Sequence, residues 1–369
     1  MTSRTSDLCL TEGEVLITCF HKTYPDERRN GCMVNNPVIL DGILQDLPHY
    51  ALTLSILFTE WEKYEPLLLH SFIVPSFHTT TKRFENPTYH EMQIRRGAWP
   101  LQYESYTLPY ALCVDDLTTI SSMLFELIRH HRYCRIHLHT DFLPFASPDP
   151  VEEPYQYYLV SGYSDDKHTI FLNGIHQNQV FMKQEVDVDA FLSSLIPPEN
   201  RDLVVHVLKK NDAFHEALDP HRLQKDLSCF LESQNSPDTP YNGTALFGVA
   251  AIKAFEKQLQ VEADTQTGPI LESMVHYSEH KVMMHYRMKR LLQLGMIQAE
   301  SILQNYDSIV MSTKKAVEFY RRYRVRQEKE DLDRAIAILK ANDELEITTI
   351  ELAYGELRHY EKGKTRKSC

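Results

Sequence analysis

Proline is unevenly distributed along this chain of 369 residues, and this limits where long helices can form. Of the 18 prolines, only Pro269 follows Pro240, and no proline occurs in residues 270–369. Proline lacks a backbone N–H donor and clashes with the preceding helical turn, so its absence permits long helices. From Ile270 onward, apolar residues recur at three- and four-residue steps, the period of a helix packed along one side. The end of the chain is therefore predicted to be almost wholly helical.

Glycine and other turn-forming residues indicate where the predicted helices begin and end. Residues 232–243 combine Ser, Asn, Pro, Asp and Gly, and are predicted to form a loop. Gly295 is expected to break or bend the helix that starts at Ile270. Helices are predicted over residues 244–260, from 270 onward, and over 299–326, 332–341 and 347–361.

The first half of the chain is predicted to contain both helices and strands. Apolar residues at helical spacing predict helices over 52–62 and 115–131. Strands grouped behind helices favour an α+β fold over a repeated β-α-β unit. We therefore predict an α+β domain over residues 1–185 and a helical domain over 186–369, linked through the region 184–244. Strands are predicted over the apolar runs 67–74, 134–140, 157–163, 168–174 and 178–186.

Charge and cysteine content exclude several classes of protein. A net charge of −12 argues against general binding to nucleic acid or anionic membranes, because phosphate affinity comes from clustered Lys and Arg. No run approaches the roughly 20 apolar residues that span a bilayer. Acidic residues also interrupt the N-terminal segment where a signal peptide needs an apolar run. The seven scattered cysteines, with no C-x-x-C pair, fit reduced thiols. We expect a cytoplasmic protein without nucleic-acid or membrane partners.

Five short stretches of the chain together resemble a known family. They are PHYALTL at 48–54, EPLLLHSF at 65–72, LHTDFLP at 138–144, YLVSGY at 158–163 and ALFG at 245–248. With them the chain resembles the proteins related to butirosin biosynthesis protein H, which occur with nonribosomal-peptide and aminoglycoside gene clusters. The resemblance implies an N-terminal domain similar to a papain-like cysteine peptidase, followed by a helical domain. It also implies acyl transfer from a carrier-protein thioester.

The resemblance places the papain-like catalytic positions at His49, Gln156 and Asn173. A papain-like site needs a Cys at a helix N-terminus, a His to exchange the proton, and an Asn or Asp to orient that His. Gln156 cannot exchange a proton at neutral pH, and His49 cannot replace a thiolate. Covalent catalysis of the papain type is therefore not expected. Asp141 and Tyr163, in matched stretches, are the expected substrate-binding residues.

The leading hypothesis is an accessory or acyltransferase-like protein of nonribosomal-peptide or aminoglycoside antibiotic biosynthesis. Its partners would be an acyl or peptidyl carrier protein and a small-molecule or peptide substrate. An acceptor amine would attack the thioester directly, with His49 as general base and Asn173 or Gln156 donating to the oxyanion. No cofactor is expected, because the chain lacks phosphate-binding and dinucleotide motifs. The alternative on the same fold is a non-catalytic binding or scaffold protein, that is, a pseudoenzyme.

A third hypothesis is a zinc hydrolase. His276, Glu279 and His280 form an H-x-x-E-H pattern, in which two histidines four residues apart share one helix face and the Glu can polarise a metal-bound water. The flanking residues Met274 and Val282 favour a packing role for the segment instead. No metal site is therefore included in the leading hypothesis.

Two further groups of side chains have structural interpretations. His137, His139 and Asp141 alternate along one predicted strand and share a face, an arrangement that can hold a metal ion. A half-exposed sheet face is the favoured interpretation. Cys134 and Cys229 lie in apolar sequence, which is typical of small buried hydrophobic residues. No cysteine is therefore expected to carry the function.

Overall fold

The structure is a computed structural model. Contacts within the chain separate two compact units, which are Met1–Thr59 with Pro100–Asp212 (unit 1) and Glu60–Trp99 with Ala213–Cys369 (unit 2). Both units combine helices with antiparallel strands, so the predicted α+β class is confirmed. The structure describes residues 33–40, 42–71, 73–86, 100–110, 116–145, 155–164, 168–175, 181–197, 201–236, 244–262 and 270–367.

The described strands and helices are numbered here in chain order. The strands are β1 Met33–Asn35, β2 Ser76–His78, β3 Arg83–Glu85, β4 Leu101–Leu108, β5 Tyr133–His139, β6 Tyr155–Ser164, β7 Thr169–Ile175, β8 Phe181–Asp187, β9 Leu203–Lys210 and β10 Ala245–Phe247. The helices are α1 Pro48–Leu57, α2 Trp61–His70, α3 Leu117–Arg129, α4 Val188–Ser194, α5 Pro220–Leu231, α6 Gly248–Glu262, α7 Ile270–Gln293, α8 Glu300–Arg326 and α9 Lys329–Lys367.

Unit 1 is built on an antiparallel sheet with the strand order β4-β9-β5-β6-β7-β8, and β1 also pairs with β6. The four strands β5 to β8 confirm the strands predicted from residue 134 to residue 186, whereas β4 and β9 lie outside the predicted strands. The predicted domain boundary at residue 185 falls inside β8, which is fully paired with β7. The region 184–244 is not a linker, because it contains the central strand β9 and two helices.

One face of the unit 1 sheet packs against helices α3 and α4. The carboxylate of Asp116 accepts a hydrogen bond from the backbone N–H of Thr119 (3.0 Å), which caps α3 and confirms the predicted helix 115–131. Alternate strand residues then bury their side chains against these helices because successive residues point to opposite faces. The main members of this cluster are Ile120, Leu124, Ile128, Cys134, Ile136, Leu138, Tyr158, Val160, Leu172, Phe191 and Val205.

Unit 2 combines the small antiparallel sheet β10-β2-β3 with helices α2 and α5 to α9. Helix α7 ends where Gly295 takes a positive φ of 66°, so the predicted break at this glycine is confirmed. Helix accounts for most described residues after 244, as predicted, but the short strand β10 delays the start of α6 to Gly248. Among the described residues, no helix is long and apolar enough to cross a membrane.

Two local predictions in unit 2 are wrong. The apolar run 67–74 forms the end of helix α2 and the segment after it, not a strand. The buried side chain of Arg287 donates hydrogen bonds to the carbonyl oxygens of Leu69 (2.6 Å) and Ser71, which satisfies the free end of that helix. The helices predicted over 332–341 and 347–361 are one continuous helix, α9. Between them, Asn342, Asp343 and Glu346 face the buried interior.

Candidate functional site

The sheet of unit 1 separates two of the three predicted catalytic residues. Gln156 lies directly opposite Leu138, a residue of the cluster under α3 and α4. Asn173 lies directly opposite Leu159. Opposed residues of an antiparallel pair share a face, and residues three apart along a strand point to opposite faces. Gln156 and Asn173 therefore point to opposite faces of the sheet, and the predicted convergence of their side chains is wrong.

Asn173 is fully buried and already bonded within the sheet. Its Nδ2 donates to the carbonyl oxygen of Leu159 (3.1 Å) and to Oγ of Ser161 (2.8 Å), which uses both N–H groups of the amide. Among the described residues, its Oδ1 has no hydrogen-bond partner. In this arrangement Asn173 can accept a hydrogen bond but cannot donate one to an oxyanion, as the sequence-based hypothesis requires.

The backbone of His49 lies where the resemblance implies a catalytic helix start. Helix α1 begins at Pro48, which suits the first helical position because its missing N–H would have no helical partner. The helix contacts β7, the strand that contains Asn173. The side chain of His49 lies outside the described part of the structure.

Asp141 and Tyr163, the predicted substrate-binding residues, lie at opposite ends of β6. Asp141 is exposed in a short 3₁₀ turn that follows β5, beside Tyr155 at the start of β6. Tyr163 is buried near the far end of β6 and stacks on Phe125 of α3, with ring centroids 4.5 Å apart. Tyr155 and Tyr163 are eight positions apart along β6, a distance of roughly 26 Å. The two predicted residues therefore do not form one site.

The face that holds Asn173 also carries a continuous row of ring side chains, here called the aromatic row. Consecutive ring centroids lie between 4.6 Å and 6.0 Å apart, which is within the range of aromatic contact. Tyr103, Tyr157 and Phe142 are each more than a third exposed. The row consists of Tyr103, His206, Tyr157, His137, Tyr155, His139 and Phe142.

His206 is the most strongly perturbed member of the aromatic row. The hydroxyls of Tyr103 and Ser105 lie 2.5 Å and 2.9 Å from its Nδ1. Burial, and then the positive charge of Arg135, lower the pKa of His206 to about 4. The ring is therefore neutral at pH 7, and a hydroxyl that donates to Nδ1 leaves the ring proton on Nε2.

The sequence contains a signal for part of this row. Histidines alternate in β5, and the alternation of His137, His139 and Asp141 predicts a half-exposed sheet face; the alternating tyrosines at the start of β6 are not part of that prediction. The shared face of His137 and His139 is confirmed. Tyr103 and His206 were missed because β4 and β9 lie outside the predicted strands. Their pairing with each other and with β5 brings these rings into the row.

The H-x-x-E-H segment lies inside unit 2 on helix α7. Nδ1 of His276 lies 3.2 Å from Oε2 of Glu279, and both residues are buried. Nε2 of His280 lies 3.2 Å from the carbonyl oxygen of Ile73, and its Nδ1 lies 3.8 Å from Oε1 of Glu346. The described residues contain no group of three His, Cys, Asp or Glu side chains placed to hold a metal ion. The geometry therefore favours the packing interpretation of this segment over a zinc hydrolase.

The next residue of α7, Lys281, joins a buried charged cluster with helices α8 and α9. Its fully buried ammonium forms an ion pair with Glu346 and lies 3.6 Å from Oδ1 of Asp343. The hydroxyl of Tyr277 donates to Asp343, and that of Tyr306 donates to Glu346 (3.4 Å). Burial raises the pKa of Asp343 to about 8. Every charge in the cluster has an opposite charge beside it, which is typical of a structural network.

The described cysteines are not activated nucleophiles. Burial raises the pKa of the Cys134 thiol to about 12, and Cys134 lies in the core under α3. Burial and the nearby carboxylate of Asp226 also raise the pKa of Cys229. A catalytic cysteine needs a lowered pKa and access to substrate. The cysteines outside the described residues are Cys9, Cys19, Cys32, Cys113 and Cys369.

Comparison with known proteins adds no family to this description. No protein-family model matches the chain, and no curated protein is significantly similar to it.

Proposed function

We propose that this chain binds an acyl or peptidyl group on the Asn173 face of the unit 1 sheet. The group would be carried as a thioester by a carrier protein, and no covalent cysteine intermediate would form. The observation that carries the proposal is the aromatic row, whose partly exposed rings offer an apolar surface with polar edges. Such surfaces bind small molecules through stacking and a few directed hydrogen bonds.

The proposal includes a papain-like fold for unit 1 and membership of the antibiotic-cluster proteins that the sequence resembles. It is supported by a helix that begins at Pro48 and contacts β7, and by the antiparallel order β5-β6-β7. It is also supported by the raised pKa of Cys134 and Cys229, because a site without a thiolate must bind its acyl group without a covalent bond.

If the chain transfers the acyl group, an acceptor amine attacks the thioester carbonyl directly. The new C–N bond forms as the C–S bond breaks, and the carrier leaves as a thiolate that takes up a proton. His49 remains the candidate base for the amine proton, from its place in the first turn of α1. Gln156 has no role in this revised mechanism, because it points to the other face of the sheet.

A second candidate is a binding or scaffold protein without transfer activity. It is favoured by the buried amide of Asn173, whose two N–H groups are bonded to Leu159 and Ser161. An oxyanion needs directed donors, and their loss costs two or more orders of magnitude in rate. The two candidates share the same binding surface and differ in turnover alone.

The proposal is tested with a carrier protein loaded with an acyl or aminoacyl thioester. We expect the loaded carrier to bind more tightly than the unloaded one in calorimetry, and Tyr157→Ala to remove that difference. Tyr157→Phe is the matched control, because it keeps the ring. Equal affinity for loaded and unloaded carrier would refute the binding role.

Turnover is measured separately, as release of the carrier thiol that depends on an added amine. Loss of release in His49→Ala with unchanged binding would support the transferase. Absence of release by the unaltered chain would leave the scaffold role. Formation of an acyl adduct on any of the seven cysteines would refute the non-covalent mechanism.

A further inference from the structure

Arg135 places a guanidinium in the middle of the Asn173 face, where none of the described residues is an anionic partner for it. On neighbouring strands it lies directly opposite His206 and Leu159. Its Nε is buried and has no hydrogen-bond partner among the described residues. Burial lowers its pKa, and no described carboxylate forms an ion pair with it.

A largely buried guanidinium without an ion pair destabilises the fold unless another contact offsets the loss of solvation. A largely buried arginine normally pairs with a carboxylate, because burial removes the water that solvates its charge. Here the guanidinium lies 4.2 Å from the ring centroid of Tyr157, a cation–π contact that offsets part of this cost. No described residue accepts a hydrogen bond from the guanidinium, and its Nη groups remain accessible to a bound molecule. The missing partner is therefore a group that accepts hydrogen bonds and carries negative charge.

The carboxylate of Asp141 is too distant to supply that charge. Arg135 and His139 are four strand residues apart, roughly 13 Å, and Asp141 follows in the next turn. At physiological ionic strength this separation exceeds the screening length of about 8 Å. His206 cannot supply it either, because a neutral imidazole carries no negative charge.

We propose that Arg135 binds the carboxylate of a small molecule whose aromatic ring packs against the aromatic row. Two parallel N–H groups of a guanidinium match the two oxygens of a carboxylate, and Arg is the side chain best suited to this geometry. Tyr157 lies beside the guanidinium, and Tyr103 stacks on His206, which is opposite Arg135. The exposed parts of both tyrosines would provide the surface for the ring. The inference rests on the proposed function for its surface. The carboxylate belongs to the small-molecule substrate, because an acyl carbon held as a thioester has no free carboxylate.

Three probes separate the contribution of charge from that of the ring. Benzoate carries both, benzamide has the ring without the charge, and acetate has the charge without the ring. We expect benzoate to bind about tenfold or more tightly than either of the others, since one charge-assisted contact contributes about 1.5 kcal/mol or more. Binding is followed by NMR through the ring signals of His206 and His137. Equal affinities for benzoate and benzamide would overturn the inference.

Variants of the chain test whether Arg135 causes the preference for benzoate over benzamide. Arg135→Gln is expected to abolish the preference for benzoate over benzamide, and Arg135→Lys to keep only part of it. Arg132→Gln is the matched control, because Arg132 is already paired with Glu104 (3.6 Å) and should leave the preference unchanged. An unchanged preference in a folded Arg135→Gln protein, or loss of the preference in Arg132→Gln, would overturn the assignment.

The outcomes also separate this inference from the proposed function. Binding of the loaded carrier without any preference for benzoate would overturn the inference alone. A preference for benzoate that depends on Arg135, without binding of the loaded carrier, would overturn the proposed function alone.

Discussion

Arg135 and His206 lie directly opposite each other on strands β5 and β9, on the face of the sheet that carries Tyr157. Burial and the positive guanidinium together hold the pKa of His206 at about 4. A basic group and a titratable ring are thus coupled across one strand pair. The pairing register alone decides this contact, since the two residues are 71 positions apart in the sequence.

Replacing Arg135 with Gln should raise the pKa of His206. The guanidinium disfavours the protonated imidazole, so its removal shifts the pKa toward the usual value of 6.5, while burial keeps it below that value. An NMR titration of the His206 ring proton measures the change. The Arg132→Gln protein should titrate like the unaltered chain. An unchanged His206 pKa in Arg135→Gln would contradict the coupling.

Replacing Lys281 with Met should destabilise the protein by about 3–5 kcal/mol. The change leaves the carboxylate of Glu346 buried without its cation, and an uncompensated buried charge is strongly destabilising. Chemical denaturation measures the loss. The triple variant Lys281→Met, Asp343→Asn, Glu346→Gln should recover part of it, because no buried charge of the cluster remains. A cost below about 1 kcal/mol for Lys281→Met would contradict this account.

His280 should make the protein less stable in mild acid. Burial lowers its pKa well below 6.5, so the folded state keeps it neutral while the unfolded state binds a proton. The contribution of neutral His280 to stability is thus present above about pH 6.5. It is lost as the pH falls toward the lower pKa that His280 has in the folded state. His280→Gln removes this loss and keeps an N–H donor for the carbonyl of Ile73. The free energy of unfolding between pH 7 and 5 should fall less steeply in this variant.

The control for His280 is His130→Gln, which removes an exposed histidine. It should leave the slope of stability against pH close to that of the unaltered chain. Equal slopes in the His280→Gln variant and the unaltered chain would contradict a lowered pKa of His280 in the folded state.

In unit 2, replacement of two glycines with alanine should change the stability of the protein in opposite directions. Gly248, at the start of α6, has a φ of 53°, and an added Cβ would lie 2.2 Å from the carbonyl oxygen of Phe230. Gly248→Ala should therefore cost more than about 1 kcal/mol, through strain and a backbone clash. Gly355 lies inside α9 with open space around its Cα, so Gly355→Ala should stabilise by about 0.5–1 kcal/mol. Thermal unfolding compares the two, and destabilisation of both to the same extent would contradict the prediction.

Local sequence patterns were sufficient for the elements that depend on local forces. The absence of proline and the three-to-four spacing of apolar residues predicted α7 and α8 nearly to their ends. Gly295 marked the end of α7 because only a residue without Cβ readily takes its positive φ. Alternation and turn-forming residues likewise predicted the consecutive strands β5 to β8.

The remaining features were decided by contacts between distant residues. Residues 67–70 are helical in part because Arg287 bonds the carbonyls at the end of α2, and Asp343 and Glu346 sit inside a continuous helix because Lys281 faces them. Gln156 and Asn173 were assigned to one site from spacing alone. A side chain's face follows from strand register, which depends on which strands pair. The sequence by itself thus determined the α+β class and most elements, and the pairing of β4, β9, β5 and β6 alone decided which residues share the candidate site.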